Sequence, residues 1–97
     1  MTLDALKATL TQPEPPDDLA PALRALWHDA RGDWETAHRV AQEIAGTDGA
    51  WVHAYLHRKE GDAGNAAYWY RRAGQAVADD SLESEWDRIA TALLVRG

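Results

Sequence analysis

Two histidines, His53 and His57, lie four residues apart within the segment of residues 51–62. Side chains at i and i+4 of a helix lie on the same face, so both imidazoles can point the same way. Histidine nitrogens are ligands that Zn²⁺ accepts. This spacing makes His53 and His57 weak candidates for a metal site, with His28 as a third ligand if two helical units stack in parallel.

Other features of the sequence argue against a metal. The hydrolytic zinc motif has a glutamate directly after its first histidine, and the segment "HAYLH" has none. Glu60 and Asp62 lie nearby, but the sequence indicates no clear third ligand. We therefore expect no metal and no cofactor, and we interpret the histidines as packing or surface residues. A metal-dependent enzyme that uses His28, His53 and His57 is the third of three functional hypotheses.

Basic and aromatic residues follow the histidines. Four of the ten basic residues fall in positions 58–72. Their side chains either bind an acidic peptide or a chain-terminal carboxylate, or form a solvated face paired with nearby acids. Trp69 either packs in the core or contributes to an exposed aromatic patch that marks a partner surface. The residues that we expect to bind a partner are His53, His57, Trp69, Arg71 and Arg72.

Several functional classes find no support in the sequence. There is no cysteine, no Gly-x-Ser-x-Gly and no glycine-rich phosphate loop, so we expect no enzyme. The net charge of −6 argues against nucleic acid as a partner. No apolar run approaches the length of a membrane span, and the first residues do not form a signal peptide. We expect a cytoplasmic protein with no membrane contact.

Helices must position these side chains. The chain of 97 residues is one domain in length, is rich in alanine and shows no strand-like alternation, so the composition predicts an all-α fold. An N-terminal helix (3–11) and a proline-rich linker make up residues 1–18. Residues 19–97 are expected to form a helical-repeat domain, with helices at about 19–31, 34–45, around 51–56, at about 63–78, and after "DDSLE". Asp17 or Asp18 is expected to cap the second helix, and Asp80 the last.

A repeat relates two parts of this domain. "GDWETA" from Gly32 aligns with "GDAGNA" from Gly61, an offset of 61 − 32 = 29, and the same offset pairs His28 with His57. Glycine permits the left-handed conformation that ends one helix, and aspartate caps the next. Two helix–turn–helix units in tandem predict a short α-solenoid, which a C-terminal capping helix completes.

The repeated residues also resemble known families. Ala25, Gly32 and Ala37, like Ala54, Gly61 and Ala66, are similar to the tetratricopeptide repeat. "AAYWYRRAG" resembles the Sel1-like pattern at Ala66, Trp69, Tyr70, Arg72 and Ala73. The resemblance covers roughly residues 19–78, and it implies a non-catalytic protein–protein interaction module. The motif of the tetratricopeptide carboxylate clamp does not match position by position, so its residues are not transferred.

Two non-enzymatic hypotheses remain. The first is a module that binds another protein or peptide through the residues named above. The second is a self-associating structural protein, a homodimer, because a two-repeat solenoid leaves hydrophobic ends that a second copy would cover. The large residues expected in the core are Trp27, Trp34, Tyr55, Leu56, Tyr70, Trp86 and Ile89.

Overall fold

In the computed structural model, residues 1–96 are described and contain six α-helices and no strand. The helices are α1 (Leu3–Ala8), α2 (Pro21–Ala30), α3 (Trp34–Gln42), α4 (Thr47–Lys59), α5 (Ala63–Ala73) and α6 (Leu82–Arg96), and a short 3-10 helix (Thr9–Thr11) follows α1. The all-α prediction is confirmed. Within this part of the chain, no helix has the length and apolar character needed to cross a membrane.

Helix α4 lies at the centre of the fold. It packs against α2, α3, α5 and α6, and every residue from Gly49 to His57 is buried. A helix that is buried on all sides needs partners all around it, which the four neighbours supply. The predicted site residues His53 and His57 are therefore carried by the most enclosed helix of the protein.

The α2–α3 and α4–α5 turns have the same local structure. Gly32 and Gly61 have φ values of 82° and 90°, in the left-handed region. The N–H groups of Asp33 and Asp62 each donate to the carbonyl five residues earlier, at 2.9 Å. Each aspartate carboxylate accepts a hydrogen bond from the N–H three residues later, at 3.1 Å. These contacts confirm the predicted glycine stops and aspartate caps.

The ends of several helices differ from the predictions. Helix α1 is α-helical only to Ala8 and continues as a 3-10 helix to Thr11, and α3 ends at Gln42 instead of near residue 45. Helix α5 ends at Ala73 instead of near residue 78, because Gly74 adopts a left-handed conformation (φ 70°) that terminates it. Helix α2 begins at Pro21 with Ala20 at its N-cap and no side-chain cap, so the predicted cap at Asp17 or Asp18 is wrong. Ser81, and not Asp80, accepts the capping hydrogen bond at the start of α6.

The core contains nearly all the large residues that were expected there. Trp27, Tyr55, Leu56, Tyr70, Trp86 and Ile89 are buried. Trp34 is the exception, because it stands at the start of α3 and is half-buried. The N-terminal segment shares this core: α1 packs against α6, Leu6 is fully buried, and the Trp27 indole donates to the Thr9 hydroxyl at 3.1 Å.

Two carboxylates are buried within this core, and each has its own partners. Asp29 accepts hydrogen bonds from the Tyr55 hydroxyl and from Lys59, both at 2.9 Å. Glu85, with no exposed surface, accepts from the Tyr70 hydroxyl and from the Arg58 guanidinium. Burial is the main cause that raises the pKa of both tyrosine hydroxyls, so each stays protonated and donates.

Candidate functional site

Three histidines from two helices, α3 and α4, meet where these helices pack together. The ring centroids of His53 and His57 are 4.7 Å apart. His38 on α3 lies 4.7 Å from His53 and 5.1 Å from His57, also between centroids. The Nε2 atoms of His38 and His53 are 3.0 Å apart, and one nitrogen from each of the three rings lies within 4.8 Å of the others. We call these three residues the histidine triangle.

The helical spacing accounts for this arrangement. His53 and His57 stack because they lie one turn apart on α4, as the i, i+4 spacing predicts. His38 is brought to them by the packing of α3 against α4. The two fully buried side chains of α3 are Ala37 and Ala41, which are small enough for the helix backbone to approach its neighbours closely.

Two tryptophans cover the triangle. The Trp34 indole stacks on His38, with 4.9 Å between centroids and 9° between planes. The Trp69 indole stacks on His53, at 4.0 Å and 15°. Trp34 is itself fixed by a hydrogen bond of 2.8 Å from its indole N–H to the Leu56 carbonyl. Each indole therefore covers one face of its imidazole, and this restricts the rotation of the His38 and His53 rings.

Burial sets the charge state of two of these rings, His53 and His38. Desolvation, with smaller contributions from His38 and His57, lowers the pKa of His53 to about 4. Burial also lowers the pKa of His38. Both rings are therefore neutral at pH 7, and each carries one unprotonated nitrogen.

His57 differs from the other two rings because it contacts an acid. Its Nδ1 lies 2.6 Å from the Glu60 Oε1. An ionised carboxylate can only accept a hydrogen bond, so Nδ1 is the donor in this pair. This contact assigns a proton to Nδ1, and in the neutral ring the Nε2 lone pair is then unprotonated.

The structure brings together a different third histidine from the one that the sequence indicated. Among residues 1–96, the three-histidine group contains His38 and not His28. His28 lies on α2, with its ring nearly perpendicular to that of Trp27 (5.3 Å between centroids, 86° between planes). A signal for His38 was available in the sequence: it follows Trp34 by four residues, which predicts contact between the two on one helix face.

The basic residues of positions 58–72 separate into two groups. Arg58 and Lys59 form salt bridges with the buried carboxylates Glu85 and Asp29, at 2.8 and 2.9 Å. Arg71 and Arg72, on α5, form none with any residue of the described range 1–96. The pairing of basic residues with Glu60 and Asp62 that was considered from the sequence does not occur there.

Arg71 and Arg72 lie instead over aromatic rings. The Arg72 guanidinium carbon is 5.4 Å from the centroid of Trp69 and 5.7 Å from that of Tyr68, and Arg71 is 6.0 Å from Tyr68. Arg72 also donates to the Tyr68 hydroxyl at 3.0 Å. Tyr68, Arg71 and Arg72 are exposed, and Trp69 is half-buried. These contacts make an exposed cation–aromatic face on α5.

A groove of about 350 Å³ runs from this face to the start of α4. Its lining includes His53, Trp69 and Arg72, together with Ile44 and Thr47. The predicted partner-binding residues therefore lie in one region. His53, Trp69 and Arg72 border the groove, His57 stacks on His53, and Arg71 lies on the exposed face of α5.

No protein-family model, curated protein or solved structure matches this chain. The fold and the site define an all-α protein that carries a histidine–tryptophan cluster beside an exposed arginine–aromatic face. A fold alone does not define a function, which depends on the chemistry of the residues at a site.

Proposed function

We propose that the chain is a non-catalytic protein-binding module that holds an acidic peptide segment of another protein in the groove between α3, α4 and α5. The observation that carries this proposal is that Arg71 and Arg72 have no acidic partner among the described residues. Neither forms a salt bridge within residues 1–96, although the chain has 16 acidic residues and a net charge of −6.

The architecture that we infer is a short α-solenoid of two helix–turn–helix repeats, similar to the tetratricopeptide and Sel1-like families. The pairs α2–α3 and α4–α5 support this inference, because their turns have the same glycine conformation and the same aspartate cap 29 positions apart, 61 − 32 = 29. In repeat proteins each unit buries its apolar face against the next one, and the stacked units present an extended surface to partners.

The chemistry of the groove favours an acidic occupant. A guanidinium group can form two parallel hydrogen bonds with one carboxylate. Stacking over Tyr68 and Trp69 restricts the Arg72 side chain before binding, which reduces the entropy that is lost when a partner is bound. Tyrosine, tryptophan and arginine are also the residues that contribute most to binding energy at protein interfaces.

A peptide-binding experiment tests this proposal. Fluorescence anisotropy would compare a labelled acidic peptide with a free C-terminus and a lysine-containing peptide of the same length. We expect the protein to bind the acidic peptide, and Arg72→Gln to weaken that binding about tenfold or more, the loss of a charged hydrogen bond.

Arg39→Gln is the matched control. Arg39 is an exposed arginine on α3, bonded only to Thr36 among the described residues, and the substitution removes the same charge. We expect the Arg39 variant to bind as the wild type does. Equal weakening in both variants would indicate non-specific attraction between charges, and no binding of the acidic peptide by the wild type would refute the proposal.

Self-association is the second candidate function, and exposed apolar residues favour it. Met1 is 58% exposed and Val95 83%, and both line a depression of about 260 Å³ between the ends of α1 and α6. A second copy that covered this surface would remove apolar area from water. Light scattering on a dilution series separates the two functions: a mass of two chains that persists at nanomolar concentration supports the dimer.

A further inference from the structure

We propose that His38, His53 and His57 bind one divalent transition-metal ion of the zinc class through three imidazole nitrogens. Such a site is separate from the proposed function, because it needs only the isolated chain and no partner. It also differs from the metal set suggested by the sequence, since His38 takes the place of His28.

The distances between the rings suit such an ion. Zinc–nitrogen bonds of about 2.0–2.1 Å in a tetrahedron place neighbouring ligand nitrogens about 3.3 Å apart. The His38 and His53 Nε2 atoms are already 3.0 Å apart. The nitrogens of the triangle are at most 4.8 Å from one another, so the remaining adjustment is about 1.5 Å or less, within reach of small side-chain rotations.

The surroundings orient the rings as metal sites require. The indoles of Trp34 and Trp69 stack on His38 and His53. His57 donates from Nδ1 to the Glu60 carboxylate, the contact with an acid that metal-binding histidines characteristically make with their second nitrogen. The His57 Nε2 lone pair is then available to the ion.

Charge also favours a cation at this point. His38 and His53 can both bind an ion as neutral imidazoles, provided that the ring donating the hydrogen bond between the two Nε2 atoms carries its proton on Nδ1 instead. The negative charge of Glu60 lies against His57, and the Arg72 guanidinium on α5 lies over the Trp69 ring, 5.4 Å from its centroid. Three imidazoles without a thiolate suit Zn²⁺, Ni²⁺ or Cu²⁺ and not Mg²⁺ or Ca²⁺.

Two alternative interpretations of the same residues predict different results in a metal titration. The first is a packed cluster without metal affinity, in which His38 and His53 form one hydrogen bond between neutral rings. The second is an ion on the exposed group of His57, Glu60 and Asp62. An ion at this second position would have to replace the hydrogen bond between His57 Nδ1 and Glu60.

Metal titration of tag-free, chelator-treated protein tests the proposal. We expect calorimetry to show one Zn²⁺ per chain, with no binding of Mg²⁺. Titration with Co²⁺ should give the visible absorption of a four-coordinate nitrogen site. His38→Gln should weaken Zn²⁺ binding about 100-fold. Losing a residue that only hydrogen-bonds to a metal ligand already costs up to about 100-fold in affinity, and losing a ligand should cost at least as much.

The fourth histidine of the chain supplies the matched control. His28→Gln is the same substitution outside the triangle, and it should leave Zn²⁺ affinity unchanged. Glu60→Gln keeps all three ligands, and it should weaken binding about tenfold. Circular dichroism would establish that each variant is folded, which we expect because both His38 and His28 are only half-buried.

Three results would overturn the proposal. The first is no Zn²⁺ binding by the wild type at up to millimolar concentration. The second is equal loss in the His28 and His38 variants. The third is binding that Asp62→Asn abolishes and His38→Gln retains, which assigns the ion to the exposed group. If His38→Gln does not fold, the wild-type titration and Asp62→Asn still decide between these outcomes, because Asp62 belongs only to the exposed group.

Discussion

The His53 imidazole lies flat against the Trp69 indole, with 4.0 Å between ring centroids and 15° between ring planes. This contact joins α5 to α4 at the border of the groove. One face of the His53 ring is turned towards Trp69, and the other stacks towards His57. A change in Trp69 therefore alters both the groove and the histidine triangle.

We expect Trp69→Ala to lower the free energy of unfolding by about 1–3 kcal/mol, less than the 3–5 kcal/mol typical of a fully buried tryptophan, because Trp69 is half-buried. Trp69→Phe retains a ring on His53 and should recover most of this loss. Urea denaturation of the two variants measures the difference. Equal losses in both would show that a ring placed against His53 does not account for the stabilisation by Trp69.

The turns of this protein could be predicted from the sequence because their chemistry is local. Asp33 and Asp62 cap helices through backbone groups three residues away, so a short window contains both the cap and its partner. The left-handed glycine at position 74 carries the same kind of signal. The prediction that extended α5 to about residue 78 overlooked it.

The site could be predicted only in part because it is assembled by packing between helices. The pair of His53 and His57 follows from one helical turn. His38 joins it from another helix, and Glu85 meets Tyr70 across 15 residues of sequence. No local pattern fixes which faces of α3, α5 and α6 turn towards α4. These contacts depend on the tertiary packing of the helices and could not be predicted from the sequence.

We expect stability to fall as the pH decreases from about 6.5 to 4 because His53 is neutral in the folded protein. Its pKa is about 4 when folded against 6.5 when exposed, so the unfolded chain binds more protons in this range. The contribution is fully present above pH 6.5. It should decrease by about 2 kcal/mol between pH 7 and pH 5. The lowered pKa of His38 acts in the same direction.

The groups around His53 allow this contribution to be separated from others. His38 faces it from α3. His57 lies one turn along α4, with Glu60 just after the end of that helix, and Arg72 lies over the Trp69 ring on α5. Urea denaturation at pH 7, 6 and 5 would compare the wild type with His53→Gln, which removes the titrating ring. We expect a smaller loss in the variant. Parallel curves for the two proteins would contradict the assignment to His53.

We expect Glu85→Ala to lower the free energy of unfolding by about 3–5 kcal/mol, because it leaves the charge of Arg58 without its buried partner. The Tyr70 hydroxyl loses its acceptor at the same time. A double-mutant cycle with Tyr70→Phe measures the interaction between the two residues. Additive losses would show that the hydrogen bond between them contributes no coupling energy.

Glycines 49 and 64 offer a paired test of the packing around α4. A Cβ at Gly49 would lie 2.5 Å from the Ile44 carbonyl oxygen and 2.7 Å from the Ile44 Cβ. The turn between α3 and α4 would have to move, so we expect Gly49→Ala to cost about 1–3 kcal/mol of stability. The loss should appear in thermal or urea denaturation.

Gly64→Ala is the matched control, because it adds the same methyl group to the exposed face of α5. Nothing lies within 4 Å of a Cβ at that position, and alanine is preferred to glycine in a helix by up to about 1 kcal/mol. We therefore expect this variant to be slightly stabilised. Because both substitutions replace glycine by alanine within a helix, the difference between them isolates the contact with Ile44. If Gly49→Ala is as stable as Gly64→Ala, the α3–α4 turn does not approach α4 as closely as the structure has it.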